Sequence, residues 1–278
     1  MAAGTRLTSL LRVEERLLEA EHFTRRMRRE RGEAIGYDLN AFLSAARSVT
    51  FLLQKEFSKV EGFAEWWRKE QAVLRDDPAA RFFIELRNYS QKEGRISLVG
   101  GGLRNRTATR SLRWSYRFAG TSKAVPPSLV NRDIVDCCRE HLAKLARLVL
   151  RFSDAFPFHS CPSRALTPEG VKVLGIDIDE AFATLGYPEG WTQLASHRSG
   201  DEQIGLLARH VDAVDFRSIR RLSKFKPRPS AANDEFGERL TQSMVAALER
   251  RRDEGDTGHI LREFILSELL GAKSNEKA

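Results

Sequence analysis

The stretch IVDCCREHLAKLARLVLRFSDAF, residues 134–156, decides the fold class, because its apolar residues recur every three or four positions. That spacing places them on one face of an α-helix. The stripe is continuous and comprises Ile134, Cys138, Leu142, Leu145, Val149, Phe152 and Phe156. The pattern predicts a central helix over residues 131–156. His141 lies at the edge of the stripe, where we expect a residue at the boundary of the core rather than a catalyst.

The segments that precede this helix have the same period. Helices are predicted over residues 5–31, 39–57 and 61–75. Asp38 or Asn40 is expected to cap the second of these. Another helix is predicted to begin at Asp77, which is a good N-cap, with Pro78 in the first helical position. We therefore predict a mainly α protein with a four-helix bundle over residues 1–158.

The period changes to two in the segments RISLV (95–99) and SLRWSYRF (111–118), which flank the glycines at 100–102. In the second segment one face is apolar: Leu112, Trp114, Tyr116 and Phe118. The other face is polar: Arg113, Ser115 and Arg117. This alternation predicts a small β-hairpin, inserted over residues 95–125, that buries the apolar face and exposes the arginines.

The remaining residues, 159–278, are predicted to form a smaller, mostly helical region after a boundary near residue 158. A short strand is expected at Val171–Ile178, and a helix is expected over 201–222. Two further helices are expected over 234–251 and 258–270, after a linker that contains two prolines.

Positive charge is concentrated in two parts of the chain. Lys and Arg number 46 against 38 acids, a net charge of +8, and residues 95–132 and 216–230 contain no acid. Such local basic fields favour an anionic partner, such as a phosphate backbone, membrane headgroups or an acidic protein, although solvated basic loops would have the same composition.

Other features of the composition point to a protein of the cytoplasm. No apolar run approaches the roughly 18 residues of a membrane span, and the first 33 residues carry charges throughout, unlike a signal peptide. The cysteines are Cys137, Cys138 and Cys161, whose spacing suits neither a zinc site nor a disulfide framework. We therefore expect a reducing compartment, no metal, no cofactor and no membrane association.

The segments LNAFLSAARSVTFLLQKEF (39–57) and FFIELRNYSQKEG (82–94) together resemble the HEPN superfamily, and the resemblance extends over residues 5–156. It implies a small helical bundle, commonly a homodimer, and many such proteins are metal-independent ribonucleases of toxin and antiviral systems. The family motif is an arginine, a polar residue and, a few residues later, a histidine. Arg87 and Asn88, which are expected at a helix end, match the first half, but Lys92, Glu93 and Gly94 occupy the positions of the histidine.

The missing histidine bears directly on catalysis. Metal-free RNA cleavage needs a base for the 2′-hydroxyl, an acid for the leaving oxygen and a cation beside the phosphate. Histidine suits the first two roles and arginine the third, whereas the ammonium group of a lysine is a poor base. We therefore predict a degenerate catalytic motif at Arg87, Asn88 and Lys92.

Three functions remain open from the sequence. The preferred one is a degenerate HEPN-like protein that binds RNA or another polyanion through a basic surface made of Arg104, Arg106, Arg110, Arg113 and Arg117. The first alternative is an active metal-independent ribonuclease that takes its base from elsewhere in the fold. The second is a structural or interaction protein whose basic patches meet an acidic partner.

Overall fold

The prediction of a mainly α protein with a small β-hairpin is confirmed. The computed structural model describes residues 7–30, 32–105, 112–120, 123–188, 190, 193 and 199–226. Within these residues the chain forms eleven helices and one two-stranded antiparallel sheet. None of the described helices combines the length and the apolar character that crossing a membrane requires.

The first part of the chain contains five long helices and both strands: α1 (Leu11–Met27), α2 (Ala34–Phe57), α3 (Phe63–Asp76), α4 (Pro78–Lys92), β1 (Leu98–Asn105), β2 (Leu112–Phe118) and α5 (Ile134–Ala155). Each of the five helices corresponds to a helical segment predicted from the sequence, so the description of the region as a four-helix bundle is one helix short. Six shorter helices follow: α6 (Pro157–Ser160), α7 (Pro162–Ala165), α8 (Pro168–Leu174), α9 (Ile178–Thr184), α10 (Gly200–His210) and α11 (Phe216–Ser223).

Side-chain caps explain where two of the long helices begin. The Asp77 carboxylate accepts hydrogen bonds from the amides of Ala79 and Ala80, so α4 starts where the sequence predicts. Asp133 caps α5 in the same way. The predicted cap of α2 is wrong, because that helix already begins at Ala34. Asp38 lies inside it, buried and paired with Arg26.

The bundle core is one hydrophobic cluster in which α5 is central. Its apolar stripe is fully buried from Ile134 to Phe152, as the spacing predicts. The ring of Phe152 packs 4.2 Å from that of Phe57 on α2. The Trp66–Trp67 pair belongs to the same aromatic cluster, with Trp67 buried and Trp66 half-buried against the core.

The hairpin lies against the bundle through its β2 strand. The two strands pair from Leu98↔Phe118 to Asn105↔Leu112, with an irregularity at residues 100–102. Gly100 is needed there, because a Cβ at this position would lie 2.6 Å from the Tyr116 ring. Phe118 is buried as predicted, but Ser115 is buried as well, contrary to the simple alternation. The irregularity shifts the pairing by one residue, which places Ser115 opposite Gly102.

The region after α5 forms a second, smaller hydrophobic cluster around Leu166, Ile176, Phe182, Ile204 and Leu207. The strand predicted at Val171–Ile178 is wrong, since the first half of this segment lies in α8 and none of it is a strand. Thr167 caps that helix through the amide of Gly170, Pro168 occupies its first position, and Gly175 ends it with a left-handed conformation. These helix start and stop signals outweigh the alternation of apolar residues that suggests a strand.

The single helix predicted over 201–222 is also wrong, because it is broken at residues 211–215 into α10 and α11. Val211 takes an extended conformation, and Asp215 caps α11 through the amide of Ser218. Ile219 and Leu222 of α11 join the bundle core rather than the second cluster. The boundary near residue 158 stays a prediction, and the helices expected over 234–251 and 258–270 lie outside the described residues.

Candidate functional site

Arg87 lies on α4, more than one turn before the helix ends. Its side chain is half-buried, and its Nη1 donates a 3.3 Å hydrogen bond to Asn88 Oδ1. Its Nε is buried without a hydrogen-bond partner. The expectation that Arg87 and Asn88 mark a helix end is wrong, because α4 continues to Lys92, and the cap is Glu93, whose amide donates to the carbonyl of Tyr89.

The polar residues of the predicted motif do come together at this end of α4. Asn88 and Lys92 are exposed and lie one turn apart on the same face of the helix. No described hydrogen bond or ion pair connects Arg87 to a carboxylate. Lys92 in the last turn also interacts favourably with the helix dipole, which gives it a structural role independent of any ligand. The site is therefore a cationic helix end.

His141 is buried instead of lying at the boundary of the core as the sequence predicts. Its ring stacks 4.4 Å from that of Phe83, one helical turn before Arg87 on α4. Burial, and to a lesser degree the Lys144 ammonium, lowers the His141 pKa to about 4, against the opposing effect of Asp77. Its Nδ1 has no hydrogen-bond partner. His141 is thus a neutral, enclosed imidazole and a weak base.

The other described histidines do not supply the missing group. His159 is half-buried beside Thr8, whose hydroxyl lies 3.2 Å from its Nδ1, and burial lowers its pKa. His22 and His210 are exposed on α1 and α10. In the described part of the chain, no hydrogen bond, ion pair or ring contact joins a histidine to Arg87.

The predicted basic surface of the hairpin is only partly within the described residues. Arg117 lies on β2 opposite Val99 and is half-buried, not exposed as the sequence predicts, because it takes part in interactions with its surroundings. Arg104 and Arg113 face each other in the strand register. The side chains of Arg104 and Arg113 and the whole of Arg106 and Arg110 lie outside the described residues. The role of this surface stays a prediction.

The second acid-free run of the sequence forms part of a groove that sequence reasoning did not foresee. The groove has a volume of about 420 Å³ and lies between the C-terminal part of α1, α5, and α11 with the residues after it. Its described lining includes one carboxylate and five cations: Glu21, Arg25, Arg28, Arg139, Arg221 and Lys224. We call it the basic groove. The sequence shows that residues 216–230 are basic but gives no sign of their neighbours.

The cysteines and acids show no sign of metal or thiol chemistry in the described residues. All three cysteines are free and buried, and burial raises the pKa of the Cys137 thiol to about 12. No group of three or more His, Cys, Asp or Glu side chains in this part of the chain is arranged to hold a metal ion.

Comparison with known proteins gives one similarity. A family model described as bacteriophage lambda protein ea47 matches residues 7–129, which run from before α1 through the hairpin and stop before α5. The match includes Arg87 but covers less than half of the chain. No curated protein and no solved structure matches.

Proposed function

We propose that this is a HEPN-like protein with a degenerate catalytic motif, which binds RNA or another polyanion. The observation that carries the proposal is the state of Arg87. This half-buried guanidinium has no described carboxylate partner, leaves its Nε unpaired, and contacts the exposed Asn88 on the helix that ends at Lys92. Arginine presents several donors that match phosphate oxygens, so the other N–H groups of this half-buried side chain can bind an anion.

The absence of a suitable base supports the degenerate form of the motif. A general base has to come within hydrogen-bond reach of the hydroxyl that it deprotonates. One described imidazole packs against α4: that of His141 on α5, which stacks on Phe83, is enclosed by the core and has a pKa of about 4. The cation needed beside a phosphate is present, but a partner for proton transfer is not found among the described contacts of Arg87. The homodimer that the resemblance implies is part of the same proposal.

A binding and cleavage experiment on the full chain tests this function. The protein is incubated with a mixed-sequence single-stranded RNA in EDTA, and binding of labelled RNA is followed by fluorescence anisotropy across a salt series. We expect no cleavage and salt-dependent binding. The double variant Arg87→Gln/Lys92→Gln should reduce the slope of log affinity against log salt by about 0.7 for each phosphate that the protein no longer neutralises.

The matched control is Arg68→Gln/Arg75→Gln, which removes two exposed arginines from α3 and produces the same net charge. It should leave the salt slope unchanged. If the protein cleaves the RNA robustly and Arg87→Ala abolishes the cleavage, the protein is an active ribonuclease and the proposal is wrong. If the wild type and the Arg87→Gln/Lys92→Gln variant have equal slopes of log affinity against log salt, Arg87 and Lys92 do not contact the RNA.

A further inference from the structure

The basic groove concentrates positive charge far beyond the average of the chain. Five cations and one carboxylate among its described lining residues give a net charge of +4 (5 − 1). Like charges at such short range repel one another, and a groove with low-dielectric walls concentrates their field. Glu21 binds two of these cations, Arg25 and Arg221, and Lys224 adds a further exposed one. An arrangement of this kind favours a multiply charged anion.

Glu21 holds two of the cations in fixed positions at the groove. Its carboxylate is largely buried and accepts a bidentate pair of hydrogen bonds from Arg221, at 2.5 and 2.7 Å, and a third from Arg25 at 2.7 Å. Both arginine side chains remain about half exposed or more, at 49% and 63%. Each guanidinium carries five N–H donors, so donors remain for a ligand after Glu21 is satisfied.

The wall formed by α11 is also fixed in place. Arg147 on α5 donates a 2.8 Å hydrogen bond to the carbonyl of Ser223, and the Arg139 guanidinium lies 4.1 Å from the centre of the Phe225 ring. Ile219 is fully buried in the bundle core. Arg139 is therefore held in place, like Arg25 and Arg221, before any ligand arrives, which reduces the entropy lost on binding.

The shape and chemistry of the groove point to a class of ligand. Its volume of about 420 Å³ lies within the range of small-molecule sites, and it opens to solvent along a surface that also includes Leu142 and Leu222. We infer that the basic groove is a binding site for a chain of linked phosphates, supplied either by a nucleoside polyphosphate or by the backbone of a single-stranded nucleic acid. The excess of cations over carboxylates in the lining favours a ligand that carries several negative charges.

This site is separate from the one in the proposed function. None of the described residues that line the groove belongs to α4 or to the hairpin. Its acid-free run at 216–230 also lies beyond the residues that match the ea47 family model. The groove can therefore bind phosphates whether or not Arg87 contacts RNA, and variants of the two sites distinguish the two ideas.

Isothermal titration calorimetry on the full chain at about 50 mM salt tests the inference, since exposed charges are weakly screened there. The probes are inorganic triphosphate, ATP and a short single-stranded RNA without a terminal phosphate. The variant is Arg25→Gln/Lys224→Gln, which removes two exposed cations and leaves the Glu21–Arg221 pair and the buried residues of α11 in place. We expect its affinity to fall by about tenfold or more.

The control is again Arg68→Gln/Arg75→Gln on α3, which should change affinity by less than about twofold. If triphosphate and ATP bind and depend on the groove variant, the phosphates come from a small molecule. If only the RNA binds with that dependence, they come from a nucleic-acid backbone. No binding of any probe at about 1 mM, or equal losses in the groove variant and in the control, overturns the inference.

Discussion

His141 should make the protein sensitive to mild acid, and His141→Phe should remove that sensitivity. Burial lowers the pKa of this imidazole from its ordinary 6.5 to about 4. Between these two values the unfolded chain binds a proton that the native protein does not, so the free energy of unfolding falls as the pH is lowered. The stability is fully present above 6.5 and is lost progressively down to pH 4.

The size of the effect follows from the same difference in pKa. One pKa unit corresponds to about 1.4 kcal/mol, so complete protonation of the unfolded state costs the native protein about 3 kcal/mol. Between pH 7 and pH 5 the loss due to His141 should be about 2 kcal/mol. Phenylalanine does not titrate and keeps an aromatic ring against Phe83 and Phe42.

The surroundings of His141 favour this replacement. Its Nδ1 has no hydrogen-bond partner to lose, and a cavity of about 30 Å³ beside the ring can take part of the added volume. We therefore expect His141→Phe to change the stability at pH 7 by less than about 1.5 kcal/mol. The groups that also titrate in acid, such as Asp77 with its lowered pKa, are present in both proteins and cancel in the comparison.

Urea unfolding followed by tryptophan fluorescence at pH 7 and pH 5 measures the effect. His141→Phe should lose about 2 kcal/mol less than the wild type between the two values. His141→Gln serves as a second variant, which keeps a polar side chain but should show the same flattened pH dependence at a lower stability. If His141→Phe loses as much stability on acidification as the wild type, a neutral, buried His141 is not the cause of the sensitivity.

Two further predictions concern the hairpin and the assembly of the protein. Gly100→Ala should lower the free energy of unfolding by about 1–3 kcal/mol, because the new Cβ meets the Tyr116 ring. The hydroxyl of Tyr116 accepts a hydrogen bond from the amide of Gly32, which holds the ring in place. The control is Gly120→Ala, which has open space around it and should leave the free energy of unfolding unchanged in the same urea titration. Equal stabilities of the two variants would contradict the close packing of Tyr116 on Gly100. The proposed homodimer should give about twice the chain mass of 31.5 kDa in light scattering at high micromolar concentration, and a monomer mass would contradict it.

The parts of the fold that the sequence predicts are those with strong local signals. The start of α4 is visible in Asp77 and Pro78, because a cap and a proline at the first helical position act within a few residues. The central place of α5 is visible in its continuous stripe. The strand expected at 171–178 is wrong because the apolar residues there alternate as in a strand, while Thr167 and Gly175 are strong signals for the start and the end of a helix. The helix signals determine the structure of this segment.

The candidate site at Arg87 was predictable in composition but not in geometry. The sequence groups Arg87, Asn88 and Lys92 in one motif at an expected helix end, whereas the structure continues α4 through Lys92, so that all three lie on that helix. It could not indicate that His141 lies against Phe83, because a position at the edge of an apolar stripe does not reveal what α2 and α4 place over it. Burial by other helices, and not the position in the stripe, determines the properties of that imidazole.

The basic groove escapes sequence reasoning because its charge is divided among distant segments. Arg25 and Arg28 stand in a part of the chain that also contains acids, so α1 alone does not read as a basic field. Arg139 comes from α5, and Arg221 and Lys224 lie about two hundred residues after α1. The docking of α11 brings them together, and it depends on buried residues such as Ile219 and on the pairing of Arg221 with Glu21. The local electrostatic potential depends on how the helices pack. Where helices from different parts of the chain place charges of the same sign in one groove, the potential there is stronger than the net charge of any one segment indicates.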